Sequence, residues 1–243
     1  MRALLPVARD DVDLLEAYAT PDRQGRPFVR CNMISSVDGA IAVHGRSGAL
    51  GGPADRIVFA ALRSLADVVV VGAGTARAEG YGPVRLSDDL RRARAGRGQP
   101  PVPPIAVVTR SAQLDWSSPL FADAEQRPII VTTADANPGE IARARAVADV
   151  VEAGADEVDL ASAVTQLASR GYTNVLAEGG PGINAQLVAA RLVDELCLTL
   201  SPSIVAGTGP RILAGDELPV PLSLRTVHLL EQDGYLFGRF AVS

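Results

Sequence analysis

The sequence has few of the side chains that proteins use for covalent catalysis or metal binding. It contains two cysteines and two histidines among 243 residues. Cys31 and Cys197 each lie in an apolar stretch, which predicts buried thiols rather than a disulfide or a nucleophile. His44 and His228 are far apart and have no carboxylate or thiol at ligand spacing, so we expect no metal site. The sequence signature of the zinc deaminases is absent as well.

Excess positive charge and long apolar segments are also lacking. The 28 Asp and Glu residues outnumber 23 Lys and Arg residues, and a chain with a net charge of −5 does not attract the phosphates of nucleic acid. Residues 1–6 are followed at once by the charged residues Arg9, Asp10, Asp11 and Asp13, so we expect no secretory signal peptide, and no later run has the length of a membrane span. We therefore expect a cytoplasmic protein that binds neither nucleic acid nor a membrane.

Short β-branched runs alternate with segments of helical spacing along the chain. With 47% hydrophobic residues, the chain can bury the core of one α/β domain, which we place over residues 1–243. Four runs are typical of strands covered on both faces, namely residues 67–71, 105–109, 128–132 and 174–177. From residue 195 onwards, three apolar runs without a long helix between them predict antiparallel strands. The pattern indicates a central, mostly parallel mixed sheet flanked by helices, with antiparallel C-terminal strands.

One segment rich in arginine interrupts this alternation. Residues 82–104 combine several arginines with prolines and glycines, which predicts a mobile loop in the C-terminal half of the segment. A basic cluster of this kind is typical of a solvated surface, and a binding patch is the less favoured interpretation.

Two strand-to-helix turns carry glycines, where backbone N–H groups can approach a phosphate closely. The first contains Gly72, Gly74 and Thr75 and begins like a Rossmann fingerprint. Because Arg77 stands where the third small residue belongs, a standard dinucleotide fold is disfavoured. The second turn has a proline suited to the first turn of the next helix, and it consists of Glu178, Gly179, Gly180, Pro181 and Gly182. Close packing would explain either turn alone, whereas two in one chain favour a nucleotide site.

The end of a further strand offers a cation and two hydroxyl groups. Thr109, Arg110 and Ser111 suit a phosphate monoester such as the 2′-phosphate of NADPH, because guanidinium groups bind phosphate through paired hydrogen bonds. A solvated strand end is the alternative interpretation of the same three residues.

Near the N-terminus, polar residues follow an apolar strand. Ser36, Asp38 and Gly39 form a turn that on its own indicates an ordinary hairpin. Further on, Pro53 suits the start of a helix and places Asp55 in its first turn. The carboxylate there either stabilises the helix through its macrodipole or accepts hydrogen bonds from ring N–H and amino groups of a pyrimidine or pteridine. The sequence supports both interpretations equally.

Taken in order, these segments resemble the reductase domain of riboflavin biosynthesis and its stand-alone relatives, the pyrimidine reductases. The resemblance covers residues 28–240. Its most specific parts are the Ser-x-Asp-Gly turn at 36–39, the Val-Gly-x-Gly-Thr turn at 71–75, and Glu-Gly-Gly-Pro at 178–181 followed by Leu-Val-Asp-Glu-Leu at 192–196. It implies a dihydrofolate-reductase-like fold, a homodimer, and reduction of 5-amino-6-(5-phosphoribosylamino)uracil to its ribityl form with NADPH.

The resemblance also implies roles for individual residues. NADPH would lie along the C-terminal edge of the sheet, bound by both glycine turns and by the strand end at 109–111. The implied substrate residues are Asn32, Ser36, Asp55, Arg63, Glu79 and Arg85. Arg63 and Arg85 would bind the substrate's phosphate, and Glu79 would lie near its sugar hydroxyls. The catalytic candidates are Asp55, Ser36 and Asp38. Water ordered by Ser36, Asp38 or Glu79 would deliver the proton.

One departure from the family pattern leaves other activities open. The bifunctional enzymes carry a Trp-Ile segment shortly after the Ser-x-Asp-Gly turn, whereas this chain has the glycine-rich residues 47–52 there. Asp55 follows directly, where an acid could hold a pteridine ring. Reduction of dihydrofolate or a related pterin is therefore the alternative activity, and a non-catalytic nucleotide-binding protein is a third hypothesis.

Overall fold

The computed structural model of the protein describes residues 1–21, 23 and 25–243, which form ten strands and eight α-helices. The strands are β1 (Arg2–Leu5), β2 (Phe28–Ser36), β3 (Val68–Gly72), β4 (Ile105–Val108), β5 (Ile129–Thr132), β6 (Asp149–Glu152), β7 (Asn174–Ala177), β8 (Glu195–Ser201), β9 (Leu224–Gln232) and β10 (Tyr235–Val242). The α-helices are α1 (Leu14–Ala17), α2 (Pro53–Leu65), α3 (Ala73–Glu79), α4 (Asp88–Gly96), α5 (Pro119–Ala122), α6 (Pro138–Val147), α7 (Leu160–Ser169) and α8 (Pro181–Ala189). In these residues, no helix is long and apolar enough to cross a membrane.

The chain divides into two compact units. Unit 1 comprises Met1–Pro21, Phe28–Leu62 and Ala177–Ser243. Its strands lie in the order β1-β9-β10-β8-β2. β2 and β8 are parallel, whereas β8, β10, β9 and β1 pair antiparallel in succession. The antiparallel C-terminal strands predicted from the sequence are thereby confirmed.

Unit 2 consists mainly of Arg63–Leu176, and its strands lie in the order β7-β3-β4-β5-β6. Pairing is parallel from β3 to β6. β3, β4 and β5 are buried along their whole length, as expected for strands covered on both faces. The four predicted runs match β3, β4, β5 and β7 to within one residue at each end. The mixed α/β fold predicted from the sequence is confirmed.

The segment at 82–104 differs from its prediction. It contains α4, which begins after Ser87, whose hydroxyl accepts from the N–H of Leu90 at 3.5 Å. The expectation of a solvated basic cluster was wrong for Arg94, which is fully buried. Its Nη1 donates to the carbonyls of Ser64 and Ala66, at 2.9 and 2.6 Å. Arg94 thus satisfies carbonyl groups at the C-terminal end of α2, which have no partner inside the helix.

Both cysteines are buried, as the sequence predicts. Cys31 lies on β2 and Cys197 on β8, and each side chain belongs to the core of unit 1. Burial raises the pKa of each thiol to about 12, which keeps both thiols protonated and unreactive.

Candidate active site

The Ser-x-Asp-Gly turn at the end of β2 is held by its own hydrogen bonds. The fully buried Ser36 hydroxyl donates to Oδ1 of Asp38 at 2.5 Å and accepts from the N–H of Ala40 at 2.9 Å. Asp38 also accepts from the N–H groups of Val205 and Ala206, at 3.2 and 2.7 Å. These hydrogen bonds, that from Ser36 first, lower the pKa of Asp38. Asp38, which Ser36 orients, thereby holds the loop that follows β8.

Asp55 lies in the first turn of α2 with a half-buried side chain. Burial raises the pKa of its carboxyl group, while a hydrogen bond with Thr199 on β8 and the charge of Arg56 oppose the shift. Gly51 leaves room for this carboxylate, because a Cβ at Gly51 would lie 2.9 Å from Oδ2 of Asp55. A half-buried carboxylate held in this way is suited to accept hydrogen bonds from ring N–H and amino groups.

The residues just before α2 are fixed by a tyrosine of β10. The Tyr235 hydroxyl donates to the carbonyl of Leu50 at 3.1 Å. The same hydroxyl would lie only 2.7 Å from a Cβ on Gly52, so only glycine allows this approach. Tyr235 therefore sets the path of the chain into the helix that carries Asp55.

The second glycine turn joins β7 to α8. Gly180 precedes the helix and Pro181 is its first residue, and no side chain from the described part of the chain caps it. Glu178, Gly179 and Gly180 are buried. The peptide bond between the two glycines is cis, and Gly179 has a φ of +100°, a conformation that favours glycine. The turn is closed by a hydrogen bond from the N–H of Ala214 to the carbonyl of Pro181, at 3.1 Å.

The first glycine turn, in unit 2, exposes its backbone. Gly72 ends β3 and precedes α3, which receives no side-chain cap from the described residues. Gly74 is exposed, and outside its own helix and chain neighbours no heavy atom described in the structure lies within 4 Å of the place where its Cβ would be. Thr75 is half-buried beside it. A negatively charged group can therefore approach these N–H groups at the positive end of the helix.

The strand end at 109–111 combines a fixed backbone with exposed side chains. The buried Thr109 donates from its N–H to the carbonyl of Val131 at 2.9 Å. The carbonyl of Arg110 accepts from the hydroxyls of Thr132 and Thr133, both at 3.3 Å. The side chains of Arg110 and Ser111 are exposed, and Ser111 accepts from the N–H of Gln113 at 3.3 Å. Arg110 is thus available to an external anion.

The remaining predicted substrate residues have different surroundings. The guanidinium of Arg63 lies over the ring of Tyr81, 5.5 Å from its centroid. Arg85 is exposed. The pKa of Glu125 is lowered mainly by its hydrogen bond with Arg91, and the charge of Arg85 lowers it further. Glu79 is half-buried at the end of α3, and Asn32 is half-buried on β2 opposite Cys197 of β8. These contacts place Arg63 against Tyr81 and Arg85 near Glu125.

Comparison with known proteins identifies the family of this chain. The family model of the RibD C-terminal domain matches residues 27–234. The chain belongs to this family. The family and the fold indicated by the sequence motifs are therefore confirmed, and the chain is an oxidoreductase of the reductase class.

Members of the RibD C-terminal domain family resemble the chain over most of its length. The chain is 31% identical over 196 residues to the 2,5-diamino-6-ribosylamino-4(3H)-pyrimidinone 5′-phosphate reductase of Methanothermobacter thermautotrophicus, covering 79% of this chain and 85% of that protein. It is 26% identical over 217 residues to the reductase of the same name from Archaeoglobus fulgidus, covering 88% and 99%. A pyrimidine reductase-like protein from Corynebacterium diphtheriae matches with a TM-score of 0.83 and 28% identity, covering 96% and 99%. Relatives with these functions imply a nicotinamide cofactor.

Thr199, the hydrogen-bond partner of Asp55, is not among the residues predicted from the sequence. β8 buries alternate residues, and the buried set is polar at three of its four positions, Glu195, Cys197, Thr199 and Ser201. Because alternate residues of a strand share one face, polar residues at every second position of an apolar strand signal hydrogen-bonding groups inside the protein. That signal could have identified Thr199. Among the described residues, no group of three or more His, Cys, Asp and Glu side chains is placed to hold a metal ion.

Proposed function

We propose that this protein reduces the ribosyl side chain of 2,5-diamino-6-ribosylamino-4(3H)-pyrimidinone 5′-phosphate with NADPH. Both reductase relatives are named for this substrate. The main structural support for the proposal is the half-buried carboxylate of Asp55, which forms a hydrogen bond with Thr199. The diamino compound presents an amino group beside a ring N–H, and both can donate to a carboxylate. The uracil expected from the sequence has a carbonyl oxygen in place of that amino group, which would repel Asp55.

The residues of both glycine turns fit a nucleotide cofactor. In unit 2, Gly74 leaves space beside the first turn of α3, and the exposed Arg110 suits the 2′-phosphate that distinguishes NADPH from NADH. In unit 1, α8 begins at Pro181, after Gly180, without a side-chain cap among the described residues, so its first N–H groups are available to an acceptor. These features support NADPH as the cofactor.

The chemistry demands little reactivity from the protein itself. When bound, NADPH supplies the hydride that the opened ribose accepts. Asp55 holds the pyrimidine by its amino and ring N–H groups, and Arg63 and Arg85 remain the candidates for its phosphate. The Ser36 and Asp38 side chains act by fixing the loop at Val205, while ordered water delivers the proton. Holding the reactants in attack geometry and excluding bulk water can accelerate the reaction by several orders of magnitude in such a site.

The first experiment tests cofactor and substrate together. We expect the purified chain to bind NADPH in a fluorescence titration more tightly than NADH, and to oxidise it faster with the diamino pyrimidinone than with the uracil. Arg110→Ala should weaken NADPH binding about tenfold and leave NADH binding unchanged. Arg143→Ala, which removes an exposed arginine of α6, is the matched control. A wild-type chain that binds neither nucleotide, or prefers the uracil, contradicts the proposal.

Reduction of a pterin is the second candidate, because the same observation favours it. A dihydropterin ring also presents an amino group beside a ring N–H to a carboxylate such as Asp55. We expect Asp55→Asn to slow reduction of either substrate, measured by NADPH oxidation with dihydrofolate and with the pyrimidinone. An Asp55→Asn variant that reduces a pterin as fast as the wild type would remove Asp55 from this role.

The assembly and location are further parts of the proposal. The family resemblance supports a homodimer, and sedimentation equilibrium of the purified chain would distinguish one copy from two. A cytoplasmic location agrees with the absence of long apolar runs in the sequence. Fractionation of cells that express the full chain tests it, and recovery with membranes would contradict it.

A further inference from the structure

Asn184 is a buried polar residue for which the fold provides no partner. It is the fourth residue of α8 and is 0% exposed. Neither its Nδ2 nor its Oδ1 has a hydrogen-bond partner among the residues that the structure describes. Burying an amide without hydrogen bonds is unfavourable, and such groups are rare in folded proteins. A residue of this kind calls for a partner from outside the chain.

Gly179 and Met33 lie next to the Asn184 amide. The place where a Cβ of Gly179 would stand lies 3.9 Å from Nδ2 of Asn184 and 3.5 Å from Sδ of Met33. Because residue 179 is glycine, this place stays free of a side chain. Met33 lies on β2 and is half-buried, and its unbranched side chain adopts alternative rotamers easily. Gly179 and the adaptable side chain of Met33 therefore border the amide on one side.

We propose that the Asn184 amide binds a planar group of a reductase ligand that offers one hydrogen-bond acceptor beside one donor. An amide presents the complementary pair, with Nδ2 donating and Oδ1 accepting. Two ligands of the proposed function, on which this inference rests, carry such an edge. One is the carboxamide of the nicotinamide, and the other is the 4-oxo and 5-amino edge of the pyrimidinone. Asn184 thus determines ligand specificity independently of Asp55.

A purely structural role and a ligand-binding role for Asn184 predict different effects of its replacement on the stability of the free protein. If an internal water satisfied the amide, removing the amide would leave a cavity or an unpaired water and destabilise the free protein. If the amide has no partner until a ligand binds, an apolar residue of similar size should leave the ligand-free protein as stable as the wild type or make it more stable. Stability without ligand and affinity for ligand therefore change in different directions in the two cases.

The experiment compares the full chain with Asn184→Leu and the smaller Asn184→Ala, and uses Gln186→Leu as control. Gln186 is exposed on the same helix, so its replacement changes apolar content without removing a buried amide. Urea unfolding without ligand gives the stability. Fluorescence titration gives Kd for NADPH and for its 3-acetylpyridine analogue, which lacks the amide donor. Steady-state kinetics at saturating NADPH give KM for the pyrimidinone.

We expect Asn184→Leu to unfold at the same or a higher urea concentration and to lose about tenfold in affinity for one ligand. A higher Kd for NADPH, with the preference over the 3-acetylpyridine analogue lost, assigns the amide to the cofactor. A higher KM alone assigns it to the pyrimidine. Variants that lose stability and keep both constants within about twofold overturn the inference while leaving the proposed function intact. A wild-type chain that binds neither ligand overturns both.

Discussion

Glu195 accepts two hydrogen bonds from Arg30 through one carboxylate oxygen, 2.9 Å from Nε and 2.7 Å from Nη2. Its other oxygen accepts two from Arg239, at 2.9 and 2.5 Å. All three side chains are buried. The neighbouring Asp194 accepts from the N–H of Val29 at 2.9 Å, at the start of β2. The Leu-Val-Asp-Glu-Leu motif at 192–196 therefore identifies the family through residues that hold unit 1 together.

Replacement of Glu195 tests the strength of this buried arrangement. Glu195→Gln leaves two buried guanidinium groups without a counter-charge, and breaking such a pair costs about 3–5 kcal/mol. We expect that loss in the free energy of unfolding, measured by urea denaturation. Glu152→Gln is the control, because Glu152 pairs with Arg145 at 3.0 Å on the surface and its loss should cost less than about 1 kcal/mol. Equal effects of the two substitutions would show that Glu195 is not held as described.

A methyl group at residue 51 tests the position of Asp55 without altering its carboxylate. In Gly51→Ala the new Cβ would lie 2.9 Å from Oδ2 of Asp55, so the carboxylate must move. We expect KM for the pyrimidinone to rise about tenfold while Kd for NADPH stays unchanged, since a hydrogen bond to a charged group is worth roughly 1.5–3 kcal/mol. In the control Gly48→Ala, no heavy atom of the described residues lies within 4 Å of the new Cβ, apart from residue 48 itself, its chain neighbours and the backbone of its own turn. A wild-type KM in Gly51→Ala would separate Asp55 from substrate binding.

The parts of the fold that local sequence determines were predictable, and those that depend on distant contacts were not. Continuous apolar runs predicted β3, β4 and β5, because nearly every residue of a strand that is buried on both faces is apolar. The burial of Arg94 depends on carbonyl groups 28 and 30 residues earlier, which no local pattern reveals. Likewise, Asp55 and Thr199 meet only because α2 packs near β8. The sequence could identify Asp55 but could not choose between its two interpretations.

Removal of the Arg94 guanidinium tests its contacts at the end of α2. Arg94→Met keeps much of the side-chain volume but leaves the carbonyls of Ser64 and Ala66 without these donors. We expect a loss of roughly 2–4 kcal/mol in the free energy of unfolding, as for other buried groups deprived of hydrogen bonds. Arg92→Met on the exposed side of the same helix should change it by less than about 0.5 kcal/mol. Similar losses in both variants would mean that α4, rather than the buried guanidinium, is responsible.

His228 makes the stability of unit 1 depend on pH. The side chain is 7% exposed, its ring meets that of Tyr18 edge-on at 4.7 Å between centroids, and its Nε2 is buried without a hydrogen-bond partner among the described residues. Burial, followed by the charge of Arg239, lowers the pKa of His228 to about 4. Its ordinary value is near 6.5, so below that pH the unfolded chain binds a proton that the folded chain does not. The contribution of the neutral His228 to the free energy of unfolding, which is present above about pH 6.5, is therefore lost as the pH falls towards 4.

His228→Phe removes the titrating group and keeps an aromatic ring against Tyr18. We expect the wild type to lose at most about 1.4 kcal/mol of unfolding free energy per pH unit through His228 between roughly pH 6.5 and 4, and the variant to lose correspondingly less. Urea denaturation at pH 7.5, 6, 5 and 4.5 measures the difference between the two proteins. His44→Asn, at an exposed position where φ is +50° and asparagine is tolerated, should follow the wild type throughout. A constant difference between His228→Phe and the wild type across this range would show that the buried imidazole does not control acid stability.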